Sequence, residues 1–524
     1  MRIKLKRAGP LQTLIRIAFA TGGKCRSVSR CHQTLSRFAY EGAILEPARR
    51  AHPVRGKGRA HLQQIAEGDE PSFSLTRADS RRSRKEIRVY PNPASALPLP
   101  PRPNVEQYKK QAKDLVKACK SGDRDALRAW AAKWIAALVA LQGAAIPPEL
   151  RAEMESQVDP ITEFAHGKLG ESCALADAQF ILARVHGFKS WPRFAKHVEA
   201  LARAGSPVSK FESAVEAVIT GDVAILSRLL SENPDLVRAR SNREHRATLL
   251  HYVGANGFEN YRQKSPQNAV EVAKLLLAAG AEVDALPEGD IGLGTPLGLV
   301  ATSIHPERAG VQIELLETLL DHGASADGAP GGWNPLIAAL HNGRPQAAEL
   351  LARRGARLDL EGAAGVGWLD RVKSFFNEDG TLKANATRAQ MEDGFLWACE
   401  YGRNGVVGFL LEKGVDLHTQ GSTGLTGLHW AVVGGQLDTI GLLLERGASL
   451  EIRNVYGGTA LGQALWAATH GDPRIDYVPI LERLIEAGAT IEPGTLAWLA
   501  QQDSRSAAAK ARLEEALRRH GAES

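Results

Sequence analysis

The chain has 524 residues, 44% of them hydrophobic and 24% charged, and a formal net charge of +6. That length excludes one ordinary compact domain, and the composition excludes a low-complexity chain. Residues 1–90 hold 20 Lys and Arg against 7 Asp and Glu, and the other 434 residues hold 45 against 52, so the whole-chain charge is no argument for nucleic acid.

No run approaches the ~20 apolar residues that a membrane-spanning helix needs. The five cysteines, at 25, 31, 119, 173 and 399, are odd in number and scattered, and none forms a C-x-x-C. They suggest no disulfide framework and favour a reducing compartment.

Residues 1–90 show no sustained periodicity and many Arg and Ser. They read as a disordered basic arm. Two other readings fit: residues 1–40 lack any acidic residue, as organellar transit peptides do, or the start is assigned too early. Residues 91–103 (PNPASALPLPPRP) read as an extended Pro-rich linker. Their Pro98-Leu99-Pro100-Pro101 could serve as an SH3-type ligand, but a plain spacer is the better reading.

Residues 104–205 are helical in pattern. Asn104 caps a helix carrying Tyr108, Ala112, Leu115 and Ala118 at helical spacing, which Gly122 ends. Residues 124–141 are rich in Ala, Trp and Leu. A further helix runs from Leu175 to His186, Gly187 stops it, and Ser190 caps another that opens with Trp191-Pro192.

Next comes a stretch of segments that restart. In 424–457, Thr426 caps a short helix with Leu428, Ala431 and Val432 on one face. Gly434-Gly435 breaks it. Leu437, Ile440, Leu443 and Leu444 make a second helix, and Gly447 ends that one. The cycle restarts at Thr459, 33 residues after Thr426, and Gly414 precedes Gly447 by the same 33. Counting back again reaches Asp393. Similar openings stand at Thr248-Leu249-Leu250-His251, Thr295-Pro296-Leu297 and Asn334-Pro335-Leu336. Segments 257–267 and 303–310 read as insertions. Residues 361–376 form a short unit without the opening motif, and 377–388 a loop. Residues 493–524 end in two helices, the last of them charged.

A 33-residue period opening T-x-L-H-x-A resembles the ankyrin repeat. The resemblance covers 211–492 and implies an all-α solenoid of seven or eight helix-turn-helix-hairpin units. These follow an N-terminal helical domain and a disordered arm, and a C-terminal helical cap closes the stack. Residues 104–205 resemble the helical leader that precedes such repeats in many bacterial proteins, and they read as a cap on the first repeat. The motif histidine stands only at His251 and His429. Gly298, Ile337, Leu396 and Gly462 replace it elsewhere, which implies lost hydrogen bonds between repeats.

The resemblance also implies a non-catalytic function: holding a protein partner on the concave face. Carried over by position, that face includes Glu400, Tyr401, His341, Asn342 and Trp466, with Val455 and Tyr456 at a hairpin tip. For each residue alone, plain solvation is the competing reading. Trp397 and Trp430, 33 residues apart, are expected to pack on each other between repeats. No catalytic constellation stands out. Gly292-Leu293-Gly294 with Gly298 lacks the preceding strand of a dinucleotide loop, and Gly22-Gly23-Lys24 has Cys25 where a phosphate loop needs Ser or Thr. His166, Cys173 and His186 match no zinc spacing. No cofactor, metal or enzyme activity is expected, and a cytoplasmic monomer is. Two alternatives are tethering to nucleic acid or a membrane surface through the basic arm, and an unrecognised activity in 104–205.

Overall fold

The computed structural model describes residues 92–142, 146–170, 172–287, 294–502 and 507–522. The basic arm and the first two cysteines lie outside the described residues. Among these residues there are no strands, only isolated bridges such as Gln420 with Thr426. No described helix is long and apolar enough to cross a membrane.

Six helices form the first unit: α1 (Val105–Lys120), α2 (Arg124–Leu141), α3 (Pro148–Ser156), α4 (Val158–Leu169), α5 (Leu175–Val185) and α6 (Trp191–Leu201). Asn104 and Asp123 cap α1 and α2, each accepting a backbone N–H two residues on. Leu115, Trp134, Ile135, Ile161, Ile181 and Leu182 fill the core between them. The sequence pattern does not reveal α3 or α4. Their prolines, Pro148 and Pro160, sit in first turns, where proline is tolerated.

Cys119, near the end of α1, is joined to Cys173, just past α4, as a disulfide with Cα atoms 5.7 Å apart. This corrects the expectation of unpaired cysteines, and with it the ground for a reducing compartment. Helix packing brings together residues 54 positions apart, which spacing alone cannot show.

The Pro-rich segment is not a free spacer. Ala94, Ala96, Leu97, Pro98 and Pro100 are buried. The Leu97 N–H donates to the Val185 carbonyl at 2.9 Å, and the Leu97 carbonyl lies 3.0 Å from His186 Nδ1. Burial of Pro98 and Pro100 removes the surface an SH3-type ligand would need.

The stack follows: α7 (Pro207–Thr220) with α8 (Val223–Glu232), α9 (Leu249–Val253) with α10 (Ala269–Ala278), α11 (Pro296–Thr302) and α12 (Ile304–Arg308) with α13 (Gln312–Asp321), and α14 (Pro335–His341) with α15 (Pro345–Arg353). Then come α16 (Leu360–Gly365) with α17 (Leu369–Lys373), α18 (Arg388–Glu400) with α19 (Asn404–Glu412), α20 (Gly427–Val433) with α21 (Leu437–Glu445), and α22 (Ala460–His470) with α23 (Val478–Glu486). The end is α24 (Thr495–Gln501) and α25 (Ala507–Arg519). One hydrophobic core runs from Phe211 to Leu517, so the last two helices pack on the stack.

The sixth unit starts earlier than Asp393. Thr387 and Gln390 form a capping box, and α18 begins at Arg388. At the third unit, Gly298 in place of the motif histidine makes room for Trp333, since a Cβ there would lie 2.6 Å from the indole. That packing accounts for this member of the apparent dinucleotide loop. Gly292 and Leu293 lie outside the described residues.

Candidate functional site

The repeat turn explains the two motif histidines. His251 and His429 are fully buried. In each, Nδ1 lies 2.8 Å from the hydroxyl of the capping Thr248 or Thr426 and accepts that residue's backbone N–H. His429 Nε2 lies 3.3 Å from the Gly458 carbonyl, tying one unit to the next. Burial pushes both imidazoles below the ordinary range. They are structural, as the sequence implies, and not bases.

Across the first helices runs a ring stripe. The His341 and Trp397 centroids lie 4.5 Å apart, and those of Trp397 and Trp430 5.5 Å. The 33-residue period places the two tryptophans on each other, as expected. Glu361, in the first turn of α16 in the fifth unit, accepts from Trp397 Nε1 at 3.0 Å and meets His341 Nε2 at 3.2 Å. His341 is therefore committed to contacts between units. Asn342 donates to the Ala338 carbonyl of its own helix at 2.8 Å.

Glu400 and Tyr401 also turn inward. Glu400 is 5% exposed, and its Oε2 has no hydrogen-bond partner. Burial pushes this carboxyl up to about 8, with Tyr401 as its hydrogen-bonding neighbour. The Tyr401 hydroxyl donates to the Leu340 carbonyl, reaching from the sixth unit to the fourth, and Arg403 makes a second such reach to Glu349. The fifth unit permits this because its helix α16, LEGAAG, has small residues where the neighbours approach. A Cβ on Gly365 would lie 2.4 Å from Leu340 Cδ1, and one on Gly394 2.9 Å from the Ala364 Cβ.

Of the six expected binding residues, Tyr456 is exposed, Glu400 is buried, and His341, Asn342, Tyr401 and Trp466 are half-buried. Tyr456 is 43% exposed and its neighbour Val455 53%. The tip is held firmly: the Val455 N–H donates to the Thr423 carbonyl at 3.1 Å, and Asn454 Oδ1 accepts the N–H groups of Tyr456 and Gly458, each at 3.0 Å. Trp466 is half-buried and stacks on His470 at 5.3 Å.

Sequence reasoning missed a polar cluster at the opposite edge of the first helices, where they turn into the second. The third unit supplies Glu307 and Arg308, the fourth Arg344, and the loop before α23 supplies Asp472 and Arg474. Arg474 Nη1 donates to Glu307 at 3.0 Å across 167 positions of sequence. The insertion at 303–310 was legible, but its distant contact was not.

The geometry defines an all-α stack of repeated helical pairs. Residues 395–493 match the family model for ankyrin repeats as three copies, so this stretch of the stack is made of ankyrin repeats. No curated protein matches the chain. Among solved structures, the crystal structure of the human ASB11 ankyrin repeat domain is similar at 21% identity, covering 53% of this chain and 99% of that one, with a TM-score of 0.29.

Proposed function

We propose that the protein is a non-catalytic interaction module that seats a protein partner on the hairpin tip and first-helix surface around Val455, Tyr456 and Trp466. Ankyrin repeats in general are protein-interaction modules. The observation that carries the location is the exposed Val455–Tyr456 pair on a tip fixed by hydrogen bonds on both sides. A large side chain already held in place loses little freedom on binding, and tyrosine and tryptophan are the residues that most often dominate interfaces. Tyr401 and His341 contribute by shaping the stack, because their polar groups reach other units, while Asn342 bonds within its own helix and Glu400 is buried.

The test is affinity capture from the source cells with the full chain and with a Tyr456→Ala/Trp466→Ala double variant, both checked for native helicity. A discrete partner held by the first and lost by the second supports the reading. A partner held equally by both moves the surface elsewhere.

A further inference from the structure

The edge cluster opposite the hairpin tips contains a charge imbalance. Arg474 takes Asp472 through two nitrogens, Nε to Oδ1 at 2.9 Å and Nη2 to Oδ2 at 2.6 Å, and takes Glu307 through Nη1. Both carboxylates are thus engaged by one arginine. Arg344 has no such partner. Its Nε donates to the Ser303 carbonyl at 3.3 Å and its Nη1 to the Gly343 carbonyl at 2.8 Å. Among the described residues, no carboxylate lies within ion-pair distance of it.

A guanidinium has five N–H donors, and two carbonyls leave most of them unused. Removing a cation from water is costly unless an anion compensates it. Burial pushes the Arg344 pKa down, Glu307 and Tyr401 oppose that, and the nearby Arg308 and Arg474 add to it. Tyr401 interacts with both Arg344 and Glu400, and the buried Glu400 has an oxygen without a partner. The cluster therefore holds a half-buried cation with unused donors, which Glu307 offsets without an ion-pair contact, and, beyond Tyr401, an unused polar atom.

We propose that this cluster is an oxyanion site, in which the phosphate or carboxylate group of a small molecule binds the free N–H edge of Arg344. Paired anionic oxygens match the guanidinium fork. The loop carrying Arg474 and the α12 insertion flank the site, and their Glu307–Arg474 contact closes one side. This site is independent of the Tyr456 surface.

The experiment titrates the full chain with inorganic phosphate and, separately, with succinate, at constant ionic strength in a chloride background. Calorimetry is the readout. Saturable one-to-one binding of phosphate alone assigns a phosphoryl ligand, of succinate alone a carboxylate ligand, and of both the shared chemistry. Arg344→Gln should weaken binding about tenfold or more, the loss of one charge-assisted hydrogen bond. Glu307→Gln removes a competing negative charge and should tighten binding roughly threefold or more. That gain is one a merely destabilised variant would not show, so it decides the matter even if Arg344→Gln fails to fold. Absence of saturable binding by either anion, or wild-type affinity in Glu307→Gln, overturns the proposal.

Discussion

Arg243 Nε and Glu259 Oε1 meet at 2.8 Å with both side chains almost wholly closed off from water. Around them Arg243 also holds Glu212 at 2.9 Å, Arg262 holds Glu212 at 2.6 Å, and the hydroxyls of Tyr252 and Tyr261 each donate to Glu259 at 2.7 Å. Two buried cations offset two buried anions. The arginines hold both carboxylates below their usual range against the opposing effect of burial. The network joins α7, the hairpin before α9 and the insertion before α10. The Glu259 N–H donates to the Pro93 carbonyl at 2.9 Å, which ties in the Pro-rich segment too.

Glu259→Ala leaves Arg243 and Arg262 with one buried carboxylate, Glu212, and the more exposed Glu216 on Arg262 alone. Removing one member of a buried ion pair typically costs about 3–5 kcal/mol. Urea unfolding of the full chain should show a loss of that size, with faster proteolysis near residue 93. An unfolding midpoint within error of the wild type would show that the network does not hold the junction.

The contrast between what was legible and what was not follows from range. Thr426, His429, Gly435 and Gly447 act within one unit and recur every 33 residues, so the sequence displays the repeat directly. Trp397 and Trp430 could be paired because neighbouring units keep that register. Arg243, Glu259 and Glu212 are brought together by packing, and sequence shows only that 257–267 is an insertion. Glu400 and Tyr401 fall at solvent-facing positions of a regular stack. They turn inward because α16 lacks bulk and the sixth unit closes on the fourth. Tyr456, on a local turn, stayed accessible as its position implied.

The small residues of α16 provide a second prediction. Gly365→Val places side-chain atoms where Leu340 Cδ1 now sits, 2.4 Å from the nearest Cβ position. Overpacking of this kind costs about 1–3 kcal/mol. It should also separate Tyr401 from the Leu340 carbonyl. Tyr401 fluorescence is masked by tryptophan, so hydrogen exchange is the readout: amides in α14 and α18 should exchange faster while those of α1 and α2 are unchanged. Unaltered exchange in α14 would contradict the direct contact between the fourth and sixth units.

Reduction of the Cys119–Cys173 disulfide releases a loop spanning 54 positions. The chain-entropy relation gives about 4 kcal/mol for a loop of that length. Thermal melts with and without dithiothreitol should separate accordingly, and the effect should vanish in Cys119→Ser/Cys173→Ser. The first helical unit should be the part that loosens. Identical melts would mean that the bond adds nothing to the packing of α1 on α5.

Glu400 sets the alkaline side of the stability profile. Its carboxyl stands near 4.5 when exposed and is pushed up to about 8 by burial in the fold. A folded pKa above the unfolded one means that the folded form keeps a proton the unfolded form has lost. The stabilisation is complete below pH 4.5 and declines as pH rises toward about 8, with up to roughly 5 kcal/mol at stake. Asp393, raised to about 6 by burial with Glu361 nearby, acts in the same direction over a lower window. Glu400→Gln keeps the shape and removes the titration. At pH 5 the variant and the wild type should unfold at nearly the same urea concentration. At pH 8.5 the variant should be the more stable of the two by several kcal/mol, and its profile between those values should be flatter. A wild-type profile that does not fall between pH 5 and 8.5 would mean that water or a cation reaches Glu400 and that its carboxyl ionises within the fold.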